Sequence, residues 1–525
     1  MKPREHCGME NVITWPAPAS EPASPDYTIE AGGRPVFVYQ ARVRAEILQK
    51  EGLWSHRPDC QGQRASFGIF DMTGPVTVVV RPARPFRTAA LLPARAGITP
   101  EIGDDRVRFT LDRPRHLTLL LDGDDSQALH LFVGAPETDA PRLGDPNVIY
   151  FGPGVHEIQT LDLHSGQTVY LAGGAIVKAT LRPGEAGTYS EQWKATFYHG
   201  SVLNLRQVSS VRVCGRGILD GSLVPHPGRN LIGVHESTDI RLEGIVLRDS
   251  PNWNVILQKS QHVRVEDLRL VSGRLNSDGI NSVNSRDVVI RRCFVRNHDD
   301  SIVVKTTEPG TPAEDIEVAD CVIWSDWGYA LGATYETRAP IRRVSFRRCD
   351  IVYCRHWCMG VHVSDGATVS AILFDDIEIA DMTRAPHRGG AYDGMTAEPE
   401  LLRMVITQDV WGHDTERGRI RDVRVQNVTV HGSRMLSSEL LGLDAEHDIR
   451  NVVLRDVRIA NERYAQVGMR ISATIRVEDP PAGVNLEDGR LDEYPDPAHL
   501  TDEEKALFNG LATESTDDVD LLPRK

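Results

Sequence analysis

Asp278 stands alone in this chain, and Asp299 and Asp300 stand side by side 21 and 22 residues later. Each group is followed by a small residue and an aliphatic one, Asp278-Gly279-Ile280 and Asp300-Ser301-Ile302. Carboxylates inside strand-like sequence are costly to desolvate and need a reason. If the segments around them are stacked strands, Val255, Ile280, Ile302 and Leu331 align as inward aliphatics. The residues two before them are Trp253, Asp278, Asp300 and Tyr329. A two-residue step keeps the same face, so these four form a column, with neighbours about 4.8 Å apart. Asp299 is one residue off the column and can reach another side of the same pocket. A lone aspartate here would read as a solvated turn. Two stacked ones with a third adjacent, ringed by Trp253, Trp324, Trp327 and Tyr329, read differently. Like charges this close raise at least one carboxyl pKa. A protonated acid beside one or two water-holding carboxylates is the equipment of an inverting glycosidase, and the aromatics suit sugar faces.

The elements that must hold these residues show a repeat. The pattern is two apolar residues in alternation, a two-residue step, and two more in alternation. It is imperfect at Val211, Val213 and Ile218 and intact at Ile240, Leu242, Ile245 and Leu247. It returns from Val263, Val288, Ile316, Val344, Ile372, Val423 and Val452. The starts advance by 23 to 29 residues, apart from one interval of 51. Strand, bend and strand at this period, without helical periodicity, predict a right-handed parallel β-helix. Cys293, Cys321 and Cys349 share one repeat position and predict a buried ladder of small core residues, not disulfides. Cys354 and Cys358 lack a second pair of ligands for a zinc site.

The 525 residues carry a net charge of −15 and abundant Gly and Pro. The charge argues against nucleic acid or an anionic membrane as partner and makes a strongly anionic polymer a less natural ligand. The first 29 residues hold no apolar run long enough for a signal-peptide core, so the expectation is a cytoplasmic protein, or a secreted one if a signal has been removed. Residues 1–26 read as an extension. Residues 27–142 read as short alternating strands of an antiparallel β-sandwich. Residues 143–470 read as the β-helix, with extra material at 384–418 containing His387, Tyr392, Trp411 and His413. Residues 471–525 read as an acidic tail with one short helix, where Thr501 and Glu504 make a capping box. No metal or cofactor is expected, and the patterns leave the oligomeric state open.

Asn276-Ser277-Asp278-Gly279 resembles the Asn-Thr-Asp-Gly motif of glycoside hydrolase family 28, the polygalacturonase family. Asp299-Asp300 resembles that family's Asp-Asp motif, and Ser250-Pro251-Asn252-Trp253-Asn254 and Lys305 look like its bacterial members. The domain order resembles the sister family 49. The resemblance implies a right-handed parallel β-helix and an inverting hydrolase. In it Asp299 is the general acid, and Asp278 and Asp300 activate water, with acid and base roughly 6.5–9.5 Å apart. It also marks departures. Gly328-Tyr329-Ala330 stands where the family has Gly-His-Gly. Gly360-Val361-His362-Val363-Ser364 stands where an Arg-Ile-Lys motif grips the galacturonate carboxylate. Without that charge-assisted clamp, the expected substrate is an oligo- or polysaccharide cleaved at a neutral sugar. Trp253, Asn276, Lys305, Trp327, Tyr329, Glu336, His362 and Trp411 are the candidate sugar-binding residues. The alternative for Lys305 is to pair with an aspartate. The insertion would wall one end of the cleft and favour exo-action.

Three other readings remain open on the sequence. A pectin-type hydrolase would keep the family's galacturonate. A polysaccharide lyase or epimerase would use a base next to the aspartates. A non-catalytic glycan-binding β-helix would bind without turnover.

Overall fold

The structure is a computed structural model and describes residues 11–43, 63–191, 195–382, 399–408, 411–432, 436–459, 462–463, 469–472 and 475–478. The tail helix expected near Thr501 and the insertion residues His387 and Tyr392 lie outside these residues. The described residues are almost wholly strand and turn, with one 3₁₀ turn at Ala94–Ala96.

Two sheets of five and six strands form the N-terminal domain, up to Asp124–Gly134. They enclose a core that includes Val78, Phe70, Leu111, Leu119 and Leu131. The pairing is antiparallel, except that Arg64–Met72 runs parallel to Asp124–Gly134.

From Val148–Phe151 onward the chain coils as a parallel β-helix. One sheet of 21 strands and one of 11 strands wrap a core of stacked aliphatics. Six strands of the smaller sheet build the site. They are β1 (Val255–Gln258), β2 (Ile280–Val283), β3 (Ile302–Thr306), β4 (Tyr329–Thr337), β5 (Trp357–Val363) and β6 (Glu400–Ile406). Val255, Ile280, Ile302 and Leu331 are register partners in the predicted order.

The two-residue step of the repeat has a backbone cause. Its second residue sits at positive φ in coil after coil: Gly244, Asp267, Arg292, Asp320, Arg348, Asp376, Asn427 and Asp456. A left-handed residue turns the strand and lets the next apolar pair face inward again. Asp and Asn suit it because their side chains tolerate this region. Cys293, Cys321 and Cys349 follow these bends, are fully buried and are free thiols.

The N-terminal domain packs on the outer face of the larger sheet. Tyr39, Phe67 and Phe132 meet Ile218, Val246, Val271, Phe294, Val322 and Trp324. Trp324 is therefore not in the ring around the aspartates, as its type suggested. It is fully buried in the domain interface, because its place in the repeat points it outward on the larger sheet, where the other domain covers it.

Candidate active site

Asp278 precedes β2 and Asp300 precedes β3, one coil above. One carboxylate oxygen from each of Asp278, Asp299 and Asp300 lies within 4.8 Å of the others. Two of the acids share one turn, and the third is one rung of the sheet away, so strand spacing fixes the distance.

Asparagines hold both turns. Asn254 Nδ2 donates to the carbonyls of Ser277 and Asp278 at 3.2 and 2.9 Å. Asn297 Nδ2 donates to those of Asp299 and Asp300 at 2.9 and 2.8 Å. Ser272 and Ser301 hydroxyls donate to the two asparagine oxygens. Asp299 is held at φ 149°, a region that residues with a Cβ avoid and that persists only where surroundings over-determine it.

Lys305, at the end of the same strand β3, supplies the counter-charge. Its Nζ lies 2.8 Å from Asp300 Oδ2 and 3.5 Å from Asp278 Oδ2. Burial pulls this ammonium's pKa down, but Asp300, Asp278 and Glu336 outweigh it and hold it above the ordinary value. A cation thus already sits between the two carboxylates. Two of the three acids thus carry a built-in counter-charge.

The three carboxylates differ in their bonds. Asp300 Oδ1 accepts the Tyr329 N–H at 2.9 Å, so both its oxygens are engaged. Asp278 Oδ2 accepts from Asn281 Nδ2 at 2.9 Å. Asp278 Oδ1 is buried with no protein partner among the described residues. Burial, with Asp300 adding to it against Lys305, pushes Asp278 up to about 7. Burial and the charges of Asp278 and Asp300 push Asp299 well above the usual carboxylate range.

The predicted sugar-binding residues take several positions. Trp253 and Tyr335 place their rings 5.2 and 5.8 Å from Lys305 Nζ. Asn276 accepts from Trp253 Nε1 at 3.4 Å and donates to Asn252 at 2.8 Å, so its amide braces the tryptophan. Glu336 is half-buried and acts on Lys305. Trp327 pairs with Asp299 through a backbone bridge, stacks on His298 and packs at a tilt against His356.

Tyr329 is fully buried. Its ring stacks on Trp357 at 4.4 Å, and its hydroxyl meets His362 Nδ1 at 3.1 Å. His362 Nε2 meets Thr407 Oγ1 at 3.0 Å. Burial, with Arg403 nearby, keeps this imidazole neutral. Tyr329 and His362 thus form the floor below the site, while their expected role was at its surface. Trp411 is half-buried in a loop tied down by the His413 and Asp414 N–H groups, which donate to Asp365 Oδ1 at 2.5 and 2.9 Å.

The floor depends on a missing side chain. A Cβ at Gly360 would lie 2.1 Å from Tyr329 Cε1 and 3.2 Å from the Arg403 carbonyl oxygen. Gly360→Ala is expected to cost about 1–3 kcal/mol by overpacking, read as a lower urea midpoint. An unchanged midpoint would show that the Tyr329 ring moves aside freely.

Asn281 and Arg403 were not singled out from the sequence. Asn281 carried a weak signal, as a large polar residue inside β2. Arg403 follows a segment that no repeat copy covers. Its guanidinium pairs with Glu439 and with Glu400 at 3.6 Å and lies 5.1 Å over the Trp357 ring.

Comparison with known proteins bears on the same residues. Residues 158–386 match the profile of glycosyl hydrolases family 28. A probable polygalacturonase of Vitis vinifera is 25% identical over 140 residues, 26% of this chain and 24% of that protein. A probable polygalacturonase of Arabidopsis thaliana is 24% identical over 193 residues, 34% of this chain and 41% of that protein. The chain thus spans less than half the length of these relatives. The solved structure of a family 28 exopolygalacturonase of Yersinia enterocolitica superposes with a TM-score of 0.49 at 13% identity, covering 80% of this chain and 97% of that one. Residues 158–386, the segment that matches this family's profile, carry all three aspartates and Lys305.

Proposed function

We propose that this chain is a glycoside hydrolase that cleaves an oligo- or polysaccharide at a neutral sugar with inversion. The carrying observation is the trio arranged around Lys305, with one acid far above its ordinary pKa and another free to take a proton. Asp299, pushed well above its usual range by burial and two like charges, donates to the leaving glycosidic oxygen. Asp278 takes the proton of the attacking water at Oδ1, the oxygen without a protein partner. Asp300, bound on both oxygens, anchors Lys305. Burial raises both carboxyls, and Asp299 also bears the like charges of both neighbours, which suits it to the acid role. Inversion is typical of the family, and a retaining pair is the alternative. The anomer released decides between them.

The neutral sugar rests on the cations. Lys305 is engaged by Asp300 and Asp278, and Arg403 by Glu439 and Glu400. Burial keeps His356 and His362 neutral. Among these side chains no free fork waits for a sugar carboxylate. A pectin-type substrate is the second reading, favoured by the polygalacturonase names of the two plant relatives. The pinned loop at Trp411 would close one end of the cleft and give exo-action. The test is a proton NMR time course on neutral α- and β-linked oligosaccharides and oligogalacturonate. Inverted neutral product supports the proposal. Galacturonate release overturns the neutral sugar, a retained anomer overturns inversion, and an unsaturated product replaces hydrolysis with a lyase.

Asn281 gives a sharper check on the base. Its hydrogen bond favours ionised Asp278. Asn281→Leu is expected to raise the acidic limb of the kcat/KM profile by about one pH unit, since bonds to charged groups are worth about 1.5–3 kcal/mol. A limb that stays in place would remove Asp278 from the base role.

A further inference from the structure

We propose that the N-terminal domain positions the turn carrying Asp299 and Asp300, and that His130 is the residue through which it does so. The turn follows the strand Phe294–Asn297. Arg296 in that strand is fully buried and points into the domain interface. His130, on the N-terminal strand Asp124–Gly134, is also fully buried, and its Nε2 lies 3.0 Å from Arg296 Nη1. A guanidinium only donates. His130 Nε2 is therefore the acceptor, and its proton is on Nδ1, which donates to Thr118 Oγ1 at 2.9 Å.

On its other side Arg296 Nε donates to Asp326 Oδ2 at 3.4 Å, and its guanidinium lies 4.1 Å over the Trp324 ring. Trp324 Nε1 donates to Asp326 Oδ1 at 3.0 Å. Asp326 opens the neighbouring turn, and its N–H donates to the Asn297 carbonyl at 3.0 Å. One residue on, Trp327 makes the backbone bridge to Asp299. Two further on, the Tyr329 N–H donates to Asp300 Oδ1.

The two turns that hold the acid are thus clamped at their root by one buried ion pair. That pair is completed from the other domain. A buried charge left without a partner is strongly destabilising. The unusual backbone of Asp299 needs such over-determination to persist. His130 is a positioning residue here, acting through Arg296 and not on substrate. The positional claim stands on geometry, and its effect on catalysis rests on the proposed hydrolase reading.

The test uses the full chain with His130→Leu and His130→Gln. Glutamine can accept from Arg296 and donate to Thr118, whereas leucine can do neither. Hydrogen exchange is followed in peptides covering 297–300 and 325–329, with β2 and β3 as internal controls. Leucine is expected to speed exchange in both turns at least about tenfold while the control strands keep their protection. Where turnover is measured, kcat falls about 10–100-fold with KM within about twofold, the cost of a small misplacement. Glutamine restores both. The proposal is overturned if leucine lowers Tm but leaves the turns' exchange and kcat unchanged. It is overturned equally if protection is lost evenly across the β-helix. If the turns loosen and the wild type cleaves no glycan, the positional claim stands and the hydrolase reading falls.

Discussion

Asp299→Asn is expected to lower kcat about 10²–10⁴-fold with little change in KM, the range of general acid catalysis by a positioned group. The amide keeps the shape and cannot donate a carboxylic proton. Asp299 is the right group to remove because burial and the charges of Asp278 and Asp300 push its carboxyl well above the usual range. The loss should depend on the leaving group. An aryl glycoside whose phenolate leaves without protonation should lose less than about tenfold, because the missing proton is not needed. Equal loss on natural and aryl substrates would show that Asp299 is structural. Full activity in the variant would move the acid elsewhere.

Lys305→Met should be nearly as damaging, and its stability cost should depend on pH. The ammonium sits 2.8 Å from Asp300 and 3.5 Å from Asp278. Removing one partner of a buried ion pair costs about 3–5 kcal/mol. Asp278 titrates at about 7 when folded, against 3.8 as its ordinary value. Between those pH values the folded chain binds more protons than the unfolded one. The stability this group contributes is complete below about pH 4 and is lost as pH rises toward 7. Without Lys305 the folded value rises further, and the loss extends to higher pH. The variant's deficit in urea should thus be smaller at pH 4–5, where only the Asp300 pairing is lost, than at pH 8. The same deficit at both pH values would show that the lysine contributes packing and not charge. Turnover should fall more than about 100-fold, because Asp278 then stays protonated where it must act as base.

Much of this site was legible because β-structure leaves few choices. A strand has a period of two, so aligning Val255, Ile280, Ile302 and Leu331 placed Asp278 and Asp300 on adjacent rungs. The same regularity stacked Cys293, Cys321 and Cys349. Lys305 carried two readings, a sugar ligand or an aspartate partner, and the structure pairs it with two aspartates. What could not be read depended on what covers an outer face. Trp324 looks like a cleft aromatic until the N-terminal domain is laid over it. His130 and Arg296 are 166 residues apart, and no local pattern joins them. Tyr329 has the type and place of a sugar platform, yet the room left by Gly360 lets its ring lie flat beneath the site.

The cover laid along the larger sheet also changes how the molecule comes apart. Solenoids behave as one-dimensional chains in which each repeat feels only its neighbours, and they unfold by fraying from an end. Here one globular domain grips the outer residues Ile218, Val246, Val271, Phe294, Val322 and Val352 of successive coils at once. No single coil in that span can open without breaking a contact shared by the others. The gripped stretch should melt in one cooperative transition together with the domain that holds it. Coils beyond about residue 400, outside that grip, retain the progressive melting of an ordinary solenoid.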